Sequence, residues 1–280
     1  MKDKLITQEE VQRAVPALRG KLGGMVTRWA MALCGLNKAN ALYDKCKQYE
    51  GVEFCEKVLG EIGVNLVVEN GEVVDRFADG NFVTVSNHPY GHIDGISLIG
   101  AVAARRPDFK VMANFILGLI DTMSDHFIVV NPFRKGKIDA GALESVKASM
   151  AHIEAGHPFG FFPAGRVSRP KLHRNLRFTV RDYEWKPSTV RMIKKTGVPV
   201  IPIYFSGQNS WFYNFLGLIS WKMRTLRLAH ELFNKRGKTV YMRFGEPVMP
   251  EELAAVTDTK AVGEMLKERV YALAGSGDLD

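Results

Sequence analysis

Residues 82–95 read Phe-Val-Thr-Val-Ser-Asn-His-Pro-Tyr-Gly-His-Ile-Asp-Gly. The apolar start of this stretch is typical of a buried strand, and the Gly and Pro residues that follow are typical of a tight loop. The strand therefore delivers His88 and Asp94 into one loop. A histidine with a nearby carboxylate is a common way to build a general base and the group that orients it. A solvated histidine in a polar turn is the alternative interpretation.

Similar short apolar runs lie on both sides of this stretch and are separated by helical patterns. The predicted strands are Val64–Val68, Phe82–Ser86, Phe109–Ala113, Phe127–Val130, Phe159–Phe162, Val198–Phe205 and Thr239–Phe244. The predicted helices between them are Asp94–Ala104, Ile138–Glu154, Ser188–Lys195 and Trp221–Asn234. This alternation favours an α/β fold, in which a central, mixed and mostly parallel sheet is flanked by helices.

We expect the chain to have a helical N-terminal extension at 1–63, an α/β domain at 64–250, and a C-terminal helix and tail at 251–280. The apolar segment Gly24–Cys34 carries Trp29, so it is either a helix that lies on a membrane surface or a buried core helix. No stretch reaches the roughly 20 apolar residues of a spanning helix. The N-terminus is too polar for the apolar part of a secretion signal.

The basic charge of the chain is concentrated in one segment. The whole chain carries a formal net charge of +8. Between Arg166 and Lys195, ten Lys and Arg residues are opposed only by Asp182 and Glu184, which accounts for that whole excess. Such a segment indicates an anionic partner, for which we consider an anionic membrane surface, a nucleotide-bearing cofactor and an acidic carrier protein. We expect no nucleic acid, because the segment matches no nucleic-acid-binding motif. A solvated loop is the alternative interpretation.

The spacing of the cysteine and histidine residues limits which disulfide and metal sites the sequence can form. The three cysteines of the chain form an odd number and lack Cys-x2-Cys spacing, which predicts free thiols in a reducing compartment. His88, His92 and Asp94 are all metal-ligand types that lie close together in the sequence. A metal site is therefore an alternative to a pair of base and carboxylate at this loop.

Four short blocks of Gly, Pro and polar residues each follow or contain a predicted strand. The blocks are residues 87–94, 130–135, 161–168 and 198–203. In an open α/β sheet the carboxyl ends of parallel strands gather at one edge, and ligands bind there. We therefore expect the four blocks to line one cleft.

The four blocks, in this order and at these separations, resemble those of the glycerolipid (lysophospholipid) acyltransferase superfamily. The chain is most similar to its hemolysin-like, or ornithine-lipid-type, bacterial branch. That branch has the Asn-His-Pro-x-Gly-x-x-Asp-Gly form of the first block, with five residues between His88 and Asp94 where the wider superfamily has four. The resemblance extends from about Tyr43 to Pro247. It implies a glycerol-phosphate acyltransferase-like α/β fold.

The resemblance implies that His88 is the general base that deprotonates an acceptor hydroxyl, and that Asp94 holds and stabilises the protonated imidazole. The donor would be an acyl thioester of acyl carrier protein or coenzyme A, and no metal or bound cofactor is implied. The predicted substrate-binding residues are Asn87, Arg134, Gly165, Arg166 and Ser168. Backbone amides around Gly165 would stabilise the oxyanion. Pro199 and Pro202 form either a wall for the acyl chain or part of the sheet core, and the sequence alone favours the core.

Two positions depart from the pattern of the resembled branch. The third block usually carries a Glu at the position of Ala164 or Arg166, and neither is acidic here. Arg166 could instead contact a phosphate. His92 stands where the branch commonly has a small residue, and we interpret it as a second base, a substrate contact or a bystander.

The expected function is that of a lipid O-acyltransferase of phospholipid metabolism. It would move a fatty acyl group from a thioester to a hydroxyl of a lyso-lipid acceptor. The N-terminal helices and the basic segment 166–195 would hold it peripherally, as a monotopic protein, on the cytoplasmic face of the bacterial inner membrane. One alternative is a metal-dependent hydrolase that uses His88, His92 and Asp94. The other is a non-catalytic lipid-binding protein of the same fold, suggested by the missing carboxylate of the third block.

Overall fold

The computed structural model describes residues 4–14, 23–114, 118, 120–130, 140–172, 178–276 and 278. Within these residues, one sheet of seven strands has the order β1-β9-β8-β2-β5-β3-β4, and β6 and β7 form a separate two-stranded sheet. The strands are β1 (Asn65–Glu69), β2 (Val83–Ser86), β3 (Lys110–Asn114), β4 (Phe127–Val130), β5 (Phe159–Phe161), β6 (Arg169–Leu172), β7 (Phe178–Arg181), β8 (Val200–Phe205) and β9 (Thr239–Phe244).

The large sheet is mixed and mostly parallel. Strands β8, β2, β5, β3 and β4 run in the same direction, β9 runs antiparallel to β8, and β1 runs parallel to β9. This confirms the predicted fold class, and each of the seven predicted strands is present in the large sheet. The β6–β7 hairpin was not predicted, because a strand that begins Arg169-Pro170-Lys171 lacks the apolar pattern of a buried strand.

Helices cover both faces of the large sheet. They are α1 (Gln8–Ala14), α2 (Gly23–Leu33), α3 (Leu36–Cys46), α4 (Gly51–Ile62), α5 (His92–Ala103), α6 (Ala140–Glu154), α7 (Pro187–Thr196), α8 (Trp211–Ile219), α9 (Trp221–Glu231), α10 (Pro250–Ala255) and α11 (Thr259–Tyr271). Side chains alternate between the faces along a strand. Accordingly, Phe82 packs in one apolar cluster with residues of α4 and α5, and Val83 packs in a second with residues of α7 and α11.

The two ends of the chain are packed onto the α/β core to different extents. Helix α4 packs on α5 through Cys55 and Val58, and α11 places Val262 and Leu266 in the second cluster. In contrast, α2 leaves Trp29 74% exposed, which does not fit the interpretation of this segment as a buried core helix. Within the described residues, no helix combines the length and apolar character that crossing a membrane requires.

The centre of the sheet has no room for an added methyl group. Gly160 lies in β5, where a Cβ would stand 2.8 Å from Phe109 Cζ, 2.9 Å from Val111 Cγ1 and 3.1 Å from Thr84 Oγ1. We expect Gly160→Ala to lower the free energy of unfolding by about 1–3 kcal/mol, because rigid neighbours on both strands must move. Urea denaturation measures this change through the transition midpoint.

Gly60 provides the matched control. It lies on the exposed side of α4, and a Cβ there would meet nothing within 4 Å. Gly60→Ala should therefore leave stability unchanged or raise it by up to about 1 kcal/mol, since alanine favours the helix. Equal stability of Gly160→Ala and Gly60→Ala would contradict the packing described for β5.

Candidate active site

The carboxyl ends of three neighbouring strands form the candidate site. Val85 of β2 pairs with Phe161 of β5, and Ser86 of β2 pairs with Ile203 of β8, so the three strands end side by side. The loops that follow are joined by hydrogen bonds. The Ser168 amide donates to the His88 carbonyl (2.8 Å), which connects the third block to the first. Residues 131–135 of the second block, with Arg134, lie outside the described residues.

His88 and Asp94 form a close pair in this loop. His88 Nδ1 lies 3.0 Å from Asp94 Oδ2, and the Asp94 side chain is fully buried. The same oxygen accepts hydrogen bonds from the Tyr90 amide (2.9 Å) and the Gly91 amide (2.8 Å). Asp94 is in the first turn of α5, where backbone amides lack partners within the helix, so the carboxylate both caps the helix and faces the imidazole.

The pair leaves the second imidazole nitrogen available as a base. A ring nitrogen that faces a carboxylate carries the proton, so Nε2 of His88 retains its lone pair. The ring packs on Phe162 with 4.2 Å between the ring centroids. The side chain of His88 remains 19% exposed, so the imidazole is held by its neighbours but is still reachable. This arrangement suits a general base that acts on a bound hydroxyl.

A second buried carboxylate, Asp182, holds the backbone of the same loop. Asp182 Oδ1 accepts hydrogen bonds from the His88 amide (3.1 Å) and the Ser168 hydroxyl (2.5 Å), and Oδ2 accepts from Trp185 Nε1 (3.0 Å). Burial raises the pKa of Asp182, and these hydrogen bonds oppose that shift. Asp182 therefore connects the first and third blocks through its hydrogen bonds to His88 and Ser168. Sequence reasoning counted it only as one of two acids in a basic segment.

Two predicted substrate-binding residues use their side chains in hydrogen bonds within the protein. Both polar atoms of the Asn87 side chain bond the backbone of Phe205, with the amide donating to the carbonyl (2.8 Å) and the oxygen accepting from the amide nitrogen (2.7 Å). The hydroxyl of Ser168 is engaged by Asp182. Asn87 and Ser168 are both buried. These hydrogen bonds position the loops, and a contact of Asn87 or Ser168 with substrate stays a prediction.

The third block presents positive charge at the surface. Gly165 adopts a left-handed conformation (φ 62°), which disfavours any side chain there, and the end of the Lys186 side chain lies against it. The Gly165 amide donates to the Phe162 carbonyl (2.9 Å), so any oxyanion contact in this block needs another donor. Arg166 is exposed beside Tyr183, and no carboxylate among the described residues forms an ion pair with it. Arg166 and Lys186 are thus available to an anion.

Pro199 directly precedes the buried strand β8, and Pro202 lies in the middle of it. Pro202 pairs with Val85 of β2, and its carbonyl accepts a hydrogen bond from Gly245 (2.8 Å). This position agrees with the interpretation of the fourth block as sheet core. A contact of either proline with an acyl chain stays a prediction.

His92 occupies the first position of α5, next to the pair. Burial, with a smaller contribution from His88, lowers the pKa of His92 to about 4. The imidazole is therefore neutral at physiological pH. Within the part of the chain that the structure describes, no three His, Cys, Asp or Glu side chains are grouped so that they could share a metal ion. The arrangement of His88, His92 and Asp94 thus gives no support to the metal-dependent alternative.

A partly exposed histidine beside a buried aspartate, at the edge of such a sheet, suits acyl transfer to a hydroxyl. Comparison with known proteins gives the class of enzyme. The family model Acyltransf_2, described as Acyltransferase, matches residues 10–280. The chain belongs to this acyltransferase family and is an acyltransferase. This confirms the resemblance to the glycerolipid acyltransferase superfamily.

Two curated relatives are similar over most of the chain. The lyso-glycine lipid O-acyltransferase of Bacteroides thetaiotaomicron is 28% identical over 245 residues, which cover 85% of each chain. The lyso-glycine lipid O-acyltransferase of Phocaeicola vulgatus is 25% identical over 286 residues, which cover 98% of each chain. Among solved structures, the 1-acyl-sn-glycerophosphate (LPA) acyltransferase of Thermotoga maritima is 17% identical with a TM-score of 0.48, covering 95% of this chain and 98% of that one.

The role of Asp182 can be tested by replacing its carboxylate with an amide. In Asp182→Asn, one acceptor oxygen becomes an NH2 group that faces either the two donors His88 and Ser168 or the Trp185 indole. We expect the free energy of unfolding to fall by about 1–3 kcal/mol, because a buried donor loses its partner. Glu184→Gln is the matched control at an exposed site and should change stability by less than about 0.5 kcal/mol. Similar values for the two variants in urea denaturation would refute the role of Asp182.

The half-buried, neutral His92 predicts a specific pH dependence of stability. Between pH values of about 6.5 and about 4, the unfolded chain binds a proton at this residue and the folded protein does not. The contribution of His92 to the free energy of unfolding is therefore complete above this range and is lost as the pH falls through it. Urea denaturation across this range should show a shallower decline for His92→Ala than for wild type. Parallel declines would show that His92 is accessible to protons in the folded protein.

Proposed function

We propose that the protein transfers a fatty acyl group from an acyl thioester to a hydroxyl of a lyso-lipid acceptor at a membrane surface. The observation that carries the proposal is the 3.0 Å contact between His88 Nδ1 and the buried Asp94 carboxylate, in a loop where the imidazole is still partly exposed. An alcohol is a weak nucleophile, so a positioned base is what this reaction requires.

The reaction follows from the orientation of the imidazole. His88 Nε2 accepts the proton of the acceptor hydroxyl while the hydroxyl oxygen attacks the thioester carbonyl carbon. The new C–O bond forms a tetrahedral intermediate, and the C–S bond then breaks. The proton held by His88 passes to the departing thiolate, which leaves as a thiol. Asp94 stabilises the imidazolium that exists between these steps, as the acid does in a Ser-His-Asp triad.

The charge around the pair suits substrates with anionic groups. Arg166 and Lys186 lie at the third block on the surface, and the basic segment 166–195 continues from it. Phosphate or carboxylate groups are the natural partners of a guanidinium. The phosphates of coenzyme A and the acidic surface of an acyl carrier protein both fit this charge, so acyl carrier protein and coenzyme A are both proposed as donors. Arg134 of the second block is a further candidate anion contact.

We propose an amino-acid-derived lyso-lipid as the acceptor. Both curated relatives are named lyso-glycine lipid O-acyltransferases, and the matched regions extend over most of each protein. A glycine lipid would offer a hydroxyl for acylation and a carboxylate for an arginine. A lipid acceptor together with a thioester donor is consistent with a protein bound peripherally on the cytoplasmic face of a membrane.

Thiol release from long-chain acyl carrier protein and from long-chain acyl-coenzyme A tests the proposal. Each donor is supplied with lyso-glycine lipid, with lysophosphatidic acid, or without acceptor. We expect release that depends on a lyso-lipid and is strongest with lyso-glycine lipid. His88→Ala should lower the rate by about 10²–10⁴-fold, the usual contribution of a general base.

His92→Ala is the control, because it removes the neighbouring imidazole of the same loop and should retain most of the wild-type rate. A chelator should leave the rate unchanged. Release that disappears with chelator would favour the metal-dependent hydrolase. A folded wild-type protein that releases no thiol with any acceptor would contradict the proposal and favour a lipid-binding role.

A further inference from the structure

The most exposed apolar side chains of the described residues are concentrated on α2 and on the α8–α9 hairpin. On α8, Trp211 is 77% exposed and Leu218 is 71% exposed. The exposed apolar residues of the hairpin are Trp211, Phe212, Phe215, Leu218, Ile219, Met223 and Leu226. Those of α8 follow helical spacing, so they share one side of the helix, while Tyr213 and Leu216 are buried on the other. Contiguous apolar patches of this kind mark interaction surfaces.

The hairpin carries positive charge and no exposed acid. Residues 211–230 contain no Asp or Glu, and the next residue, Glu231, is buried in an ion pair with Lys235. Arg227 stacks over Phe212, with 4.9 Å from the guanidinium carbon to the ring centroid. Arg224 stacks over Tyr213 at 4.5 Å. The exposed surface is therefore apolar and aromatic with Arg227 at its margin, while Arg224 is buried against Tyr213, and this composition suits the interface of an anionic bilayer.

The hairpin rests directly on the catalytic loop. Asn209, just before α8, donates hydrogen bonds from Nδ2 to the carbonyls of Pro89 (3.1 Å) and Tyr90 (3.3 Å). Leu228 of α9 packs over Gly91, where the methyl carbons of Leu228 would lie 3.3 Å from an added Cβ. Whatever the outer side of the hairpin contacts is therefore held next to the loop that carries the pair of His88 and Asp94.

The hairpin also joins the basic third block. Arg224 Nη2 donates hydrogen bonds to the carbonyls of Val167 and Ser168. The β6–β7 strands that continue from this point carry Arg169, Lys171 and Arg181. Strand β6 packs beside α8, so Arg169 and Lys171 of the basic segment lie near the apolar surface, and such cations are the complement that anionic headgroups require.

We propose that the α8–α9 hairpin is the surface by which the protein docks on an anionic lipid bilayer, with its exposed apolar residues entering the interface. The docking surface does not depend on the proposed reaction. The consequence that a lyso-lipid reaches His88 from the bilayer, past α8 and α9, rests on the proposed function. A second copy of the chain fits this surface less well, because a twofold contact between two such faces would bring their arginines together.

Vesicle binding by the full chain tests the docking surface. The binding partners are vesicles of phosphatidylcholine alone and of phosphatidylcholine mixed with phosphatidylglycerol, and the readout is cosedimentation. We expect wild type to bind the anionic vesicles more tightly than the neutral ones. The double variant Leu218→Glu/Ile219→Glu should weaken binding by roughly a hundredfold, since two buried apolar side chains are lost from the interface. Circular dichroism confirms that the variant is folded.

Leu143→Glu is the matched control, because Leu143 is also an exposed leucine on a helix (47%) but lies on α6. It should bind vesicles as wild type does. Equal binding by wild type and the double variant would overturn the proposal, as would an equal loss in Leu143→Glu. A wild-type dimer that the double variant disrupts, without vesicle binding by either, would assign the surface to a second copy.

The same variants separate the docking surface from the reaction. With a detergent-dispersed lyso-lipid, the double variant should release thiol at the wild-type rate, whereas on vesicles its rate should fall together with binding. Wild type that binds vesicles but never releases thiol would refute the proposed reaction and leave the docking surface intact. Normal thiol release on vesicles by the double variant would refute delivery of the acceptor past α8 and α9.

Discussion

The buried carboxylate of Asp94 is the constraint on which the candidate site depends. One oxygen, Oδ2, accepts hydrogen bonds from the amides of Tyr90 and Gly91 and also faces Nδ1 of His88. A single group therefore holds the start of α5 and the turn of the loop, and it lies against the imidazole of His88. Because the backbone amides need this acceptor in any case, the carboxylate is placed beside His88 by folding and does not wait for substrate.

A second carboxylate completes this arrangement from the other side of His88. Asp94 faces the imidazole, and Asp182 accepts a hydrogen bond from the His88 backbone amide. Burying two carboxylates is unfavourable unless donors surround them, and here amides, a hydroxyl and an indole supply those donors. Ser168 and Trp185 thus contribute to the position of the base although neither touches it with its side chain. Both ends of the residue are fixed, as a preorganised base requires.

Features that depend on residues close together in the sequence could be predicted from the sequence alone. The central strands β2, β5 and β8 are buried along their whole length and lie in mostly apolar runs, because parallel strands covered on both faces are apolar throughout. His88 and Asp94 lie six residues apart, in a loop and in the first turn of the helix that follows it, so their pairing could be inferred from their spacing. Asp182 lies 94 residues from His88, and the partner of Asn87 lies 118 residues away, so these contacts exist only through the fold. From the sequence alone, Asn87 and Ser168 were predicted to contact substrate, because they are polar and belong to the first and third blocks. Helix α8 was missed since its apolar sequence continues that of β8 after a short polar interruption.

The same fold explains why surface contact and chemistry are expected to be linked in this protein. The loop of His88 is held from the sheet by Asn87 and from the outside by Asn209, which precedes α8. Glu231 accepts hydrogen bonds from the amide and the hydroxyl of Ser210, and so joins the end of α9 to the start of α8. The hairpin is therefore one unit that shares its contacts with the loop of His88. A displacement of that unit on a membrane would be transmitted through Asn209 and Leu228 to the turn that Asp94 caps, because well-packed contacts move together rather than deform.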